Sequence, residues 1–233
     1  MNAEPAVNDI INQLRGLAEP GYIEKLNHFG SRPENALGIR RPVIRDFAKT
    51  LGKNHELALE LWETGIHEAR GVAAAIADPN KFTQEDGERW IQGFESWDVC
   101  DDCCAFLFRK CDWAWDVPIE WSTREREYEK RAGFVMMVVL GIHHKKASDD
   151  LFRPFFERID AEAGDPRNFV RKAVNWALRQ LGKRSLTLHP LALELAQKLS
   201  TDERKSARWV GSNAKKELSA EKTIERLKQK ARK

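Results

Sequence analysis

Two stretches of this sequence place side chains where they could act on a ligand. In Ser96-Trp97-Asp98-Val99-Cys100-Asp101-Asp102, Trp97 and Asp101 stand four residues apart and share one face of a helix. A carboxylate beside an indole is partly screened from water and can be held against a developing cation. Spacing alone equally allows an ordinary solvated Asp. Over residues 166–181, Val170, Ala173, Val174, Ala177, Leu178 and Leu181 form a core stripe. Lys172, Asn175, Trp176 and Arg179 occupy the other face, with Lys183 one turn on. Lys205, Arg208, Trp209, Ser212 and Lys216 repeat that arrangement. Rings among cations suit contact with sugars or bases while the cations take phosphates. The alternative is that each Trp packs on the neighbouring repeat, which fits Trp209 better than Trp176.

The four cysteines, Cys100, Cys103, Cys104 and Cys111, lie close together. Cys100-x-x-Cys103 has metal-ligand or redox spacing. The same offsets, continued by Leu107, also make an apolar helix face, where free Cys acts as a small buried hydrophobe. No second Cys pair or well-spaced His pair completes a four-ligand set. The expectation is therefore reduced thiols, no metal and no cofactor. His143-His144, ahead of Lys145-Lys146, falls in a loop and is given no role.

The elements that must carry these residues read as helices, punctuated by Gly and Pro. Helix starts are expected at three capping boxes: Thr83-Gln84-Glu85-Asp86, Ser122-Thr123-Arg124-Glu125 (before the helix carrying Arg131) and Ser200-Thr201-Asp202-Glu203. A fourth start is expected at Asp165-Pro166, as a cap followed by a first-turn Pro. No segment shows sustained β alternation with hairpin turn signals. Lys130-Arg131-Ala132-Gly133-Phe134, Arg171-Lys172-Ala173-Val174-Asn175-Trp176 and Lys205-Ser206-Ala207-Arg208-Trp209 share one pattern at intervals of 41 and 34 residues. Glu68-Ala69-Arg70-Gly71-Val72 reads as an earlier copy. Periods near 40 point to HEAT-like or armadillo-like helix pairs. The expected fold is all-α: a single domain over 1–233, stacked as a superhelix of HEAT-like repeats with a concave groove. An irregular helical bundle is the alternative.

The chain has 233 residues, 39 Lys plus Arg against 36 Asp plus Glu, and a net charge of +3. That sum excludes a histone-like polycation, but it hides an asymmetry. Residues 37–53, 165–184 and 201–233 carry net charges of +4, +5 and +6, whereas residues 85–129 carry −8. The basic blocks fit a polyanion such as DNA or RNA, and ordinary solvated faces would look the same by charge alone. The longest apolar run, residues 132–142, is too short to cross a bilayer. Met1-Asn2-Ala3-Glu4-Pro5 shows no basic flank or apolar core of a signal. A cytoplasmic monomer is expected. Eight Trp against two Tyr is an unusual ratio, and Trp often ends at interfaces.

Taken in order, Ala36-Leu37-Gly38-Ile39-Arg40-Arg41-Pro42, Ser96-Trp97-Asp98-Val99-Cys100-Asp101, Lys130-Arg131-Ala132-Gly133 and Phe169-Val170-Arg171-Lys172-Ala173-Val174-Asn175-Trp176-Ala177-Leu178-Arg179 resemble the AlkD-type DNA alkylation repair family of HEAT-like-repeat DNA glycosylases. The resemblance covers nearly the whole chain. It departs from better-known members at Ser96, where they often carry an aromatic, and at Asn175, where they often carry Gly. It implies a metal-free enzyme that removes cationic 3- and 7-alkylated purines from double-stranded DNA without swinging the base into a pocket. Trp97, Asp101, Arg131 and Trp176 would then lie at the lesion, with Asp101 stabilising the oxocarbenium-like sugar. Lys172, Arg179, Lys183, Lys205, Arg208, Arg40 and Arg41 would contact DNA. The alternatives are a non-catalytic module for distorted or branched DNA, in which Asp101 is dispensable, and a protein-binding scaffold.

Overall fold

The computed structural model describes residues 6–31 and 33–232. Met1–Pro5, read above for a signal, and Lys233 of the C-terminal basic block lie outside the described residues. The chain divides into two compact units at Ala114/Trp115. The first contains α1 (Val7–Arg15), α2 (Tyr22–His28), α3 (Arg41–Leu51), α4 (His55–Glu63), α5 (His67–Ile76), α6 (Gln84–Gln92) and α7 (Trp97–Asp102). A π-helical turn, Cys103–Leu107, and a 3-10 turn, Phe108–Lys110, continue α7. The second contains α8 (Val117–Trp121), α9 (Glu127–His143), α10 (Arg153–Glu162), α11 (Asn168–Gly182), α12 (Leu188–Ser200), α13 (Lys205–Leu218) and α14 (Glu221–Ala231). Among the described residues there is no strand, and no helix is long and apolar enough to cross a membrane.

In the first unit α5 is the central helix, packed by α3, α4 and α7. Its buried Glu68 holds the loop that launches α3. Glu68 Oε2 accepts from Leu37 N at 2.8 Å, and Oε1 accepts from Gly38 N at 2.8 Å and Ile39 N at 3.1 Å. Gly38 adopts φ 87°, which only Gly takes without strain, so the Leu37-Gly38-Ile39 turn needs both that glycine and that carboxylate. Trp62 and Trp90 stack at 4.1 Å between ring centroids, with Arg70 over Trp62 at 4.9 Å. Trp62, Trp90, Trp113 and Trp121 are core residues, which accounts for half of the Trp surplus.

The second unit is the repeat itself. α9 packs on α11 and α11 on α13, with α8, α10 and α12 as their partners. The predicted stripe of α11, from Val170 to Leu181, is fully buried. Gly133 of α9 and Gly211 of α13 mark equivalent close crossings. A Cβ at Gly133 would collide with the backbone of Ser122, and one at Gly211 with that of Ser200. Each pair of helices thus touches backbone to backbone, and larger residues are excluded there.

Three of the four expected helix starts need correction. Only Thr83 and Asp86 form a capping box, with Asp86 N donating to Thr83 Oγ1 at 3.1 Å and Thr83 N to Asp86 Oδ2 at 3.0 Å. Ser122 instead closes α8, its Oγ donating to Ile119 O at 2.6 Å. α9, α11 and α13 start from Arg126, Arg167 and Arg204 as N-caps. Asp165 Oδ1 accepts from Arg167 N at 2.9 Å, and Asp202 Oδ1 from Arg204 N at 2.8 Å. Each Arg side chain also pairs with its Asp. An Asp-x-Arg loop thereby satisfies the backbone before the helix begins, so α11 starts beyond Pro166 and α13 beyond Glu203.

Candidate nucleic-acid interface

The first constellation lies at the start of α7. Trp97 and Asp101, on one face, are both half-buried. Behind them the charges are dry and paired. Asp98 is 3% exposed and accepts from His67 Nε2 at 3.1 Å and from Ser31 Oγ at 2.7 Å. Burial works against its charge. Hydrogen bonds from His67, Ser96 and Ser31 overcome that and hold the Asp98 carboxyl well below the usual carboxylate range. Burial likewise pulls His67 down, and Asp98, Glu68 and Asp102 more than restore it, so its pKa lies above the ordinary 6.5. Ser96, one of the departures from better-known relatives, is therefore part of this anchor.

Arg41, counted above as a DNA-binding cation, belongs to the same constellation. It is held by Asp102, with Arg41 Nε donating to Asp102 Oδ2 at 3.1 Å. Its guanidinium lies over Trp97 at 5.7 Å from the ring centroid. Burial opposes its charge, but Asp102, Asp98 and Asp101 keep it firmly cationic. Arg40 points elsewhere, pairing with Glu19 at 2.6 Å on the surface. All four cysteines are buried. Desolvation pushes the Cys103 and Cys104 thiols well up and Cys111 to about 12, so these three are poor nucleophiles.

The second constellation is an open, shallow cavity of about 450 Å³ in the second unit, lined by Arg131, Lys172, Trp176, Arg179, Trp209 and Asn213 with the edge of Asn175. Four of the predicted site residues, from α9 and α11, thus meet on one surface. Arg131 is 5% exposed and donates from Nη1 to Phe169 O at 2.7 Å, which fixes it across the α9–α11 crossing. Lys172 is exposed and Trp176 half-buried. Trp209 is 37% exposed, with the Arg171 guanidinium over its ring at 4.6 Å. It reaches the cavity and packs on the neighbouring repeat at once. Asn175 departs from its expected place on the polar face: it is 2% exposed and donates from Nδ2 to Val210 O at 3.0 Å. The residue that replaces the usual Gly here ties α11 to α13.

Other predicted cations fall elsewhere. Lys183 lines a different cavity and is paired with Glu217, which also accepts from Arg179 Nη1 at 2.5 Å. Arg208 folds back, Nη1 donating to Asp202 O at 2.6 Å, and Lys205 is exposed. Sequence reasoning missed Ser31, His67, Asp98 and Glu217. The only local signal was an Asp in the first turn of α7; their partners lie tens of residues away.

The family model for DNA alkylation repair enzymes matches residues 10–218. The chain belongs to that family. Two uncharacterised Listeria proteins are similar over 192 residues, 79% of this chain and 82% of theirs: Lin0241 of Listeria innocua at 26% identity and Lmo0209 of Listeria monocytogenes at 25%. A solved structure, described as a new family of proteins related to the HEAT-like repeat DNA glycosylases with affinity for branched DNA structures, aligns with a TM-score of 0.80. It covers 96% of both chains at 24% identity. That likeness shows the fold: HEAT-like helical repeats.

Proposed function

We propose that this protein binds duplex DNA and hydrolyses the N-glycosidic bond of cationic 3- or 7-alkylated purines. The observation that carries this reading is the Trp97–Asp101 pair on one face of α7, backed by the buried His67–Asp98 pair and the partly buried Arg41–Asp102 pair. An alkylated purine already bears a positive charge. As the bond from the sugar C1′ to the base breaks, the electron pair goes to the base, which leaves neutral, and positive charge moves to the sugar. A carboxylate there stabilises that charge, and water then adds to C1′ and loses a proton. Asp101 fills this role, and Trp97 offers its ring face to the cation. Arg131, Lys172 and Arg179 take phosphates, with Trp176 against the sugar and backbone.

Base release from methylated duplex DNA tests this, comparing wild type with Asp101→Asn. Release of 7-methylguanine or 3-methyladenine by wild type, lost on the order of 10²-fold or more in Asp101→Asn, is expected. DNA binding without release by either protein overturns it. The second reading, non-catalytic recognition of branched DNA, is favoured by the description of the similar solved structure. It is distinguished by wild type binding a four-way junction more tightly than a plain duplex while releasing no base.

A further inference from the structure

A second and larger cavity, about 1050 Å³, opens where the C-terminal ends of α9 and α11 meet α13 and α14. α14 lies beyond residues 10–218, which carry the family match. Five cations line the cavity: Lys145, Lys183, Arg184, Arg226 and Lys230. Among the described residues, two carboxylates, Asp149 and Glu217, oppose them. Some of these cations build the walls. Arg184 is nearly buried over the Phe152 ring at 4.1 Å and donates to Gly141 O at 2.9 Å and Ala147 O at 2.7 Å. Lys230 Nζ donates to Lys183 O at 2.9 Å, tying α14 to the end of α11. Lys145 and Arg226 are exposed, and among the described residues neither has an ion-pair partner.

We infer that this cavity is a second binding site for the phosphodiester backbone of a nucleic acid, separate from the cavity around Trp176. The surplus of cations asks for a polyanion, and the size admits more than one phosphate. Among the described residues the lining contains no aromatic ring, in contrast with the two Trp of the other cavity, so the ligand is held by phosphates and not by stacked bases. The positive potential is already strained: burial, together with Lys145, Lys183, Arg184 and Arg226, lowers the Lys230 ammonium below its ordinary pKa, and an anion would relieve it. Glu217 joins the two sites, since it pairs with Arg179 of the first cavity and Lys183 of the second.

The test is the salt dependence of binding to a labelled duplex by full-length wild type, Lys145→Ala/Arg226→Ala and a control, Lys25→Ala/Lys81→Ala, which removes the same charge from exposed positions in the first unit, outside its basic block. Equal melting midpoints check that each variant is folded. The cavity variant is expected to bind on the order of 10-fold more weakly, with a log–log salt slope shallower by about two, and the control to match wild type. An unchanged slope in the cavity variant, or an equal change in the control, overturns the inference. So does binding of inorganic phosphate or polyglutamate that depends on Lys145 and Arg226 while the DNA slope stays at the wild-type value; the site would then serve small anions or acidic peptides. If wild type binds no DNA, the proposed function falls as well. If wild type binds DNA and releases base while the cavity variant behaves like it, only this inference falls.

Discussion

Around Trp97 the charges are satisfied within the protein: His67 with Asp98 in a dry setting, Asp102 with the partly exposed Arg41, and Ser31 and Ser96 on the same Asp98 carboxylate. Around Trp176 the cations line an open surface, anchored at one end and available at the other. Arg131 is pinned by Phe169 O and Arg179 by Glu217, while Lys172 stands in solvent. The first arrangement suits holding one carboxylate in a fixed place, because buried pairs are intolerant of losing a partner. The second suits gripping a polyanion, because exposed cations exchange water and counterions for phosphates at little structural cost. In one chain, then, buried charge suits fixing a position and exposed charge suits binding a polyanion.

The sharpest way to break this contrast is to remove a buried partner. Asp98→Ala removes the acceptor of His67 and Ser31 in a dry setting, so the imidazole must lose its proton or stand uncompensated, and it is expected to destabilise the protein by about 3–5 kcal/mol in denaturant unfolding. A loss under 1 kcal/mol would mean that the pair is not an anchor. Asp101→Asn is expected to do the reverse, suppressing base release on the order of 10²-fold or more while the melting midpoint stays near wild type. In the second unit, Lys172→Ala/Arg179→Ala should leave stability nearly unchanged and weaken duplex binding on the order of 10-fold, with a salt slope shallower by about two. Glu217→Ala should tighten duplex binding a few-fold by releasing Arg179 and Lys183, with a steeper salt slope. If it weakens binding, Glu217 positions those cations and does not compete with phosphate.

The smallest effect is pH dependence, confined to the first constellation. Because the His67 pKa is raised in the folded protein, its contribution is complete below 6.5 and fades as pH rises through the folded value. Because the Asp98 pKa is depressed, its contribution is complete above the ordinary 3.8 and fades as pH falls towards the folded value. Unfolding free energy is therefore expected to decline on both sides of the window between them. His67→Gln should flatten the alkaline limb, and an alkaline limb unchanged in that variant would assign it to another group.

Much of this was legible from sequence because it is local. The α11 stripe, the Thr83–Asp86 capping box and the Trp97–Asp101 spacing all follow from helical periodicity, which three or four neighbouring residues determine. The basic blocks and the ordered motifs that mark the family are also read directly from the sequence, by charge and by resemblance. What tertiary structure decided was the partner of each charge. Ser31, His67 and Asp98 meet from three separate segments, and Glu217 reaches across to Arg179 and Lys183. The pairing of Arg41 with Asp102 and its place over Trp97 were settled in the same way. Asn175 turned inward because Val210 O was there to accept its amide hydrogen. Helix period fixes which face a residue occupies. Whether that face meets solvent, a carboxylate or a backbone carbonyl depends on packing between residues far apart in the chain, and no local pattern encodes it.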